Sequence, residues 1–140
     1  MKIKYQLLSF LFAVGISSLT FAATSALSSK LMVTDLNKPV LIKKSTSILI
    51  LELSANPGTG FSWFLTKYNP YLIEPVSEKF KPSNKAVIGS GGFSIWEFAL
   101  KPQAFKVPQI SKLELEYTRP WEAGQNLGDH KKQVITFVTQ

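Results

Sequence analysis

The sequence predicts an all-β protein built as a two-layer sandwich, and three observations carry this. From residue 31 onward, apolar and polar side chains alternate with a period of two in stretch after stretch. Successive side chains of a strand point to opposite faces, so this alternation marks strands with one buried face. Helical spacing of apolar residues is not found beyond the N-terminal region. Eight prolines and eight glycines divide the chain into short pieces, as strands joined by turns require.

The elements follow in order. Residues 1–22 read as an export signal rather than as part of the fold. Lys2 and Lys4 supply a positive start, residues 7–21 are apolar apart from small or hydroxyl residues, and Thr20-Phe21-Ala22 offers small residues where a signal peptidase reads. The apolar run, about 15 residues, is short of the roughly 20 that a membrane-spanning helix needs. Cleavage is expected after Ala22, leaving one domain, residues 23–140, in a periplasm or outside the cell. Residues 31–33 and 40–42 are short apolar pieces either side of the turn signal Asn37-Lys38-Pro39. Residues 48–53 are almost wholly apolar, which fits a central strand buried on both faces. Alternation then recurs at 61–66, 95–100, 113–118 and 134–138. Pro70, Pro75, Pro82, Pro102 and Pro108 are expected between strands or at strand starts, where a missing N–H does little harm. The count is about seven strands, in an antiparallel β-sandwich of immunoglobulin-like architecture without the Cys…Trp…Cys framework of antibody domains.

Composition narrows the function. There is no cysteine, hence no thiol nucleophile, thiolate metal site or lipid attachment point, and no disulfide to support the core. The formal charge of +7 falls to +5 without Lys2 and Lys4, and the remaining lysines are scattered singly or in pairs. That pattern suits a solvated surface rather than a nucleic-acid patch. After signal removal no membrane association is expected.

Catalysis has little to build on. His130 is the single histidine and sits in a polar turn, Gly128-Asp129-His130-Lys131-Lys132, where it is expected to be exposed. Glu114 and Glu116 alternate on one strand and are expected to lie on a solvated face. Gly89-Ser90-Gly91-Gly92 lacks the GK[ST] ending of a phosphate loop and precedes a strand, not a helix. No cofactor, metal or enzymatic activity is expected.

Three turn segments point instead to binding. Asn56-Pro57-Gly58-Thr59-Gly60 precedes Phe61, Gly89-Ser90-Gly91-Gly92 precedes Phe93, and Arg119-Pro120-Trp121 follows a strand. Proline fixes φ and the glycines permit positive φ, so the first is a stiff loop presenting backbone and Thr59. The second offers bare backbone to a partner, and Asn56 can bond nearby amides. Trp and Arg in the third are the residue types most enriched at binding hot spots. In a Greek-key sandwich with residues 48–55 and 61–66 as second and third strands, 93–100 as fifth and 110–118 as sixth, all three loops share one end.

The ordered set Asn-Pro-x-Thr-Gly, Gly-x-Gly-Gly and Tyr-x-Arg-Pro-Trp resembles the chagasin family of protein inhibitors of papain-like cysteine peptidases, here Asn56 to Gly60, Gly89 to Gly92 and Tyr117 to Trp121. The resemblance spans essentially the whole of residues 23–140. It implies reversible, non-covalent, steric inhibition by a protein that is a monomer when free. The first loop would enter the catalytic cleft, with Thr59 and its neighbours against the catalytic cysteine and histidine. The Gly89–Gly92 loop would approach the non-primed side, and Trp121, its loop shaped by Arg119 and Pro120, the primed side. Gly58 departs from the threonine that many relatives carry there. The alternative is a non-inhibitory envelope immunoglobulin-like module that uses the same loops to bind a peptide or a sugar.

Overall fold

In the computed structural model, residues 29–83, 89–125 and 128–140 are described. The export signal read over residues 1–22 lies outside them. The described chain forms eight strands: β1 (Ser29–Val33), β2 (Val40–Ile42), β3 (Thr46–Ala55), β4 (Ser62–Lys67), β5 (Ile73–Pro82), β6 (Gly92–Leu100), β7 (Gln109–Thr118) and β8 (Lys131–Thr139). They make two four-stranded sheets, ordered β1-β3-β6-β5 and β2-β8-β7-β4. The only helical segments described are three short 3₁₀ turns, at Pro57–Thr59, Pro102–Phe105 and Pro120–Glu122. No helix among the described residues is long and apolar enough to cross a membrane.

Alternation decides which side chains fill the space between the sheets. Leu49, Leu51 and Leu53 of β3 and Phe98 of β6 face Leu113 and Leu115 of β7 and Ile135 and Phe137 of β8, all essentially inaccessible. Burial of such a side chain stabilises by about 1.5–3 kcal/mol, and with no disulfide available this core holds the domain together. Ile50, between Leu49 and Leu51, is also buried, so β3 is apolar on both faces as its sequence predicts.

The sandwich is as the sequence predicts, with two differences in strand pairing. Each sheet is mixed rather than purely antiparallel, because the edge strands β1 and β2 run parallel to β3 and β8. The other difference is β5, which the prolines conceal. Pro75 and Pro82 lie within this strand rather than between strands. Both are tolerated because β5 is an edge strand, and the pairing with β6 shifts register between Pro75 and Ser77.

Strand direction sets the geometry of one end. Ala55 at the end of β3 pairs with Gly92 at the start of β6, and Pro82 at the end of β5 pairs with the same Gly92. In the other sheet, Ser62 at the start of β4 pairs with Thr118 at the end of β7, and Tyr117 pairs with Lys131 at the start of β8. The β3–β4, β5–β6 and β7–β8 connections therefore emerge together. So does the β1–β2 connection, residues 34–39, because both of its strands run parallel to their neighbours.

Candidate functional site

The first loop is a single 3₁₀ turn. The Thr59 amide donates to Asn56 O (3.1 Å), the Gly60 amide to Pro57 O (3.0 Å), and the Thr59 hydroxyl to Asn56 O (2.7 Å). Gly60 closes it at φ +78°, a left-handed conformation that other residues adopt only at a cost. Pro57, Gly58 and Thr59 form an exposed tip. The Asn56 side chain caps no amide of its own loop. Its Nδ2 instead donates to Gly89 O at 3.5 Å, tying the first loop to the second.

Aromatic packing supports this loop from below. The Asn56 amide donates to the Tyr117 hydroxyl at 2.7 Å. The Tyr117 ring lies 5.3 Å from Phe61 and 5.0 Å from Trp63, centroid to centroid. Trp63 Nε1 donates to Ser54 O (2.9 Å), joining the two sheets at the loop's base. Above Phe61, 4.4 Å from the ring centroid, sits the Arg119 guanidinium. Cation–π contacts of this kind contribute about 0.5–1 kcal/mol at exposed sites.

The second loop packs backbone against backbone. A Cβ on Gly91 would stand 2.7 Å from Ala55 O, and one on Gly92 would stand 2.2 Å from Lys81 O. Glycine is required there by close approach, at the base of the β5–β6 hairpin. Gly89 is exposed, and Ser90 and Gly91 are half-buried.

The third loop opens with the 3₁₀ turn Pro120–Glu122. Trp121 is 69% exposed, and its Cη2 lies 3.3 Å from where a Cβ on Gly60 would be. Arg119 Nε donates to Thr59 O (3.4 Å), and its Nη1 donates to Glu122 Oε1 (3.1 Å). One arginine thus clamps the third loop to the first.

Of the sequence-predicted residues, Asn56, Pro57, Gly58, Thr59, Gly60, Phe61, Gly89, Ser90, Gly91, Gly92, Arg119, Pro120 and Trp121 come together at this end. Phe93 does not join the loop cluster. It pairs with Ser54 and lines a shallow cleft of about 340 Å³ with Met32 and Glu52 along the first sheet.

Two sequence expectations are corrected here. His130 is not an exposed turn histidine: its side chain is 9% accessible. Nδ1 lies 3.2 Å from Glu116 Oε1, and Nε2 lies 2.8 Å from Thr118 Oγ1 and 3.7 Å from Glu122 Oε2. The carboxylates of β7 are not a freely solvated face either. Glu114 accepts from Lys132 Nζ at 2.6 Å and lies 3.8 Å from Lys67 Nζ. The hydrogen bond from Lys132 chiefly holds the Glu114 carboxyl below its ordinary 4.5, and the Lys132 ammonium is correspondingly raised. Glu122, Asp129 and His130 bring carboxylate and imidazole atoms within 4.8 Å of one another. Both imidazole nitrogens already lie against Glu116 and Thr118, so neither points freely at a shared metal position.

Sequence reasoning read His130 as an exposed turn residue and gave neither Glu122 nor the β1–β2 connection a place at this end. Gln133 Nε2 of β8 donates to Leu36 O (3.2 Å), bringing that connection to the same end. Between them opens a cleft of about 620 Å³ lined in part by Leu36, Asn56, Thr59, Trp63, Tyr117 and Lys131.

Comparison with known proteins agrees with this arrangement. Residues 43–137 match the family described as Chagasin family peptidase inhibitor I42. Chagasin of Trypanosoma cruzi is 29% identical over 75 residues, which cover 51% of this chain and 64% of that protein, so the match spans less than two thirds of this relative's length. Among solved structures, the cysteine protease inhibitor EhICP2 of Entamoeba histolytica superposes with a TM-score of 0.58 at 16% identity, over 79% of this chain and 93% of that one. Amebosin superposes with a TM-score of 0.55 at 19% identity, over 79% and 96%. These two likenesses establish the fold, and the family match over most of the described chain establishes the membership. The chain belongs to the chagasin family of peptidase inhibitors.

Proposed function

We propose that this protein is a reversible, non-covalent inhibitor of papain-like cysteine peptidases that fills the active-site cleft with the three loops at one end of its sandwich. One observation carries the reading: the Asn56–Gly60, Gly89–Gly92 and Arg119–Trp121 segments, far apart in sequence, meet in a cross-braced surface with an exposed tryptophan. In this reading Thr59 and its neighbours enter the cleft, the Gly89–Gly92 backbone lies along one side and Trp121 packs on the other. The inhibition is steric. The clamp by Arg119 and the turn at Pro57–Thr59 lower the entropy lost on binding. A tip held out of line for attack would resist cleavage, since near-attack geometry is what hydrolysis needs.

Lys2 and Lys4, the apolar run over residues 7–21 and the small residues before position 23 support export to a periplasm or outside the cell. There it would meet a peptidase as a free monomer.

Competition tests the site. Binding to papain, followed by calorimetry, is expected to vanish once the enzyme's cysteine is blocked by a small active-site-directed inhibitor. Undiminished binding to the blocked enzyme would move the loops out of the cleft and favour a peptide- or sugar-binding module.

A further inference from the structure

The third loop holds the chain's single histidine at a point that the inhibitor reading does not use. We propose that His130 is a positioning residue for peptidase binding, whose charge sets how firmly the Arg119–Glu122 turn, and with it Trp121 and Thr59, is held. This rests on the inhibitor reading above.

The connection is continuous. His130 faces Glu116 at 3.2 Å, the Thr118 hydroxyl at 2.8 Å and Glu122 Oε2 at 3.7 Å. Asp129, its chain neighbour, also brings a carboxylate near. Lys132, the nearby cation on β8, is bonded to Glu114. Glu122 Oε1 accepts from Arg119, and Arg119 reaches the Thr59 carbonyl and the Phe61 ring. Trp121 lies between Pro120 and Glu122 in the same turn.

A neutral imidazole has one N–H. Given to Glu116, it leaves Nε2 to accept from Thr118, and Glu122 Oε2 then faces a lone pair. That oxygen is buried and has no hydrogen-bond partner. Protonation makes both nitrogens donors, so a tilt of the ring brings Nε2–H toward Glu122 while Nδ1–H stays with Glu116 and the Thr118 hydroxyl donates to Arg119 O. A buried acceptor without a donor is costly, and a bond to a charged group is among the stronger kinds. The charged form therefore secures Glu122, and through it the Arg119 clamp. Support for the loop is full at acid pH and is lost as His130 gives up its proton.

Two measurements test this. The first is the ratio of inhibition constants of His130→Gln to parent against papain, at about pH 5.5 and about pH 7.5, either side of the range where histidine ordinarily changes charge. Taking the ratio removes the peptidase's own pH dependence. The variant is expected to be weaker by roughly fivefold at the acid pH, part of one charge-assisted hydrogen bond, and within about twofold at the higher pH. A ratio that does not change with pH would overturn the proposal. The second needs no peptidase. The Trp121 indole N–H resonance, assigned with Trp121→Phe, is expected to move between the two pH values in the parent and to stay fixed in His130→Gln. A resonance indifferent to pH in the parent would also overturn it. Failure of the parent to inhibit any papain-like enzyme, with the indole titration intact, would fault the inhibitor reading and leave the coupling standing.

Discussion

Tyr117→Phe removes one oxygen atom and leaves the aromatic packing intact, so it isolates what holds the first loop to the sandwich. The Tyr117 hydroxyl accepts the Asn56 amide proton at 2.7 Å in a part-buried setting. Without it that N–H has no protein partner, and an unsatisfied buried donor costs about 1–3 kcal/mol. The rings of Phe61 and Trp63 keep their contacts with residue 117, so no cavity forms. Asn56 and Tyr117 both line the cleft of about 620 Å³, from which water can replace part of the lost bond. The expected loss is therefore at the lower end, about 1–1.5 kcal/mol. With a urea dependence of about 1–3 kcal/mol per molar, the unfolding midpoint should fall by roughly 0.3–1.5 M at unchanged slope. Inhibition of papain should weaken in the same samples, because the loop tip loses an anchor at its first residue. An unchanged midpoint would refute the reasoning. Lost stability with full inhibition would mean that the Arg119 clamp and the Asn56–Gly89 bond position the first loop without Tyr117.

Three further outcomes are expected. Trp121→Ala should weaken inhibition of papain by about 1–4 kcal/mol, the hot-spot range, with thermal stability unchanged because the side chain is 69% exposed; a loss below measurement error would make Trp121 a bystander. Gly58→Thr would bring a Cβ to 3.3 Å from Asn56 Oδ1, displacing the side chain that reaches Gly89, so its inhibition constant should differ from the parent's by more than about twofold, and equal constants would count against that linkage. The Glu114 carboxyl, followed by NMR, should titrate below 4.5 and move up toward it in Lys132→Ala, since Lys132 is the largest cause of the lowering. A carboxyl lowered on folding adds stability that is present above its unfolded value and lost as pH falls through the folded one; a Glu114 midpoint indifferent to Lys132 would contradict the assignment.

The fold was legible wherever a strand has one buried face. Period two in β6, β7 and β8 reports that burial directly, the unbroken apolar run of β3 reports burial on both faces, and these strands supply most of the core. β5 was not legible, because most of its side chains are exposed and its prolines imitate a linker. The parallel pairing of β1 and β2 was not legible either, since pattern alone does not encode strand direction. At the site, turn chemistry picked out all three loops, because proline and glycine carry their backbone requirements in their identity. Phe93 falls outside the loop cluster, as being next to a loop does not say which face of a strand a residue takes. His130 was read as exposed because its neighbours are polar. Its burial comes from Glu116, Thr118 and Glu122, which only the pairing of β7 with β8 and the third loop bring together.

The most direct test of the central claim is the residual activity of papain titrated with the purified protein beginning at Ala23. A stoichiometric loss of activity, recovered on dilution and much reduced in Trp121→Ala, is the expected result. Full activity of papain and of several cathepsin-like enzymes, at protein concentrations far above the enzyme's, would contradict it.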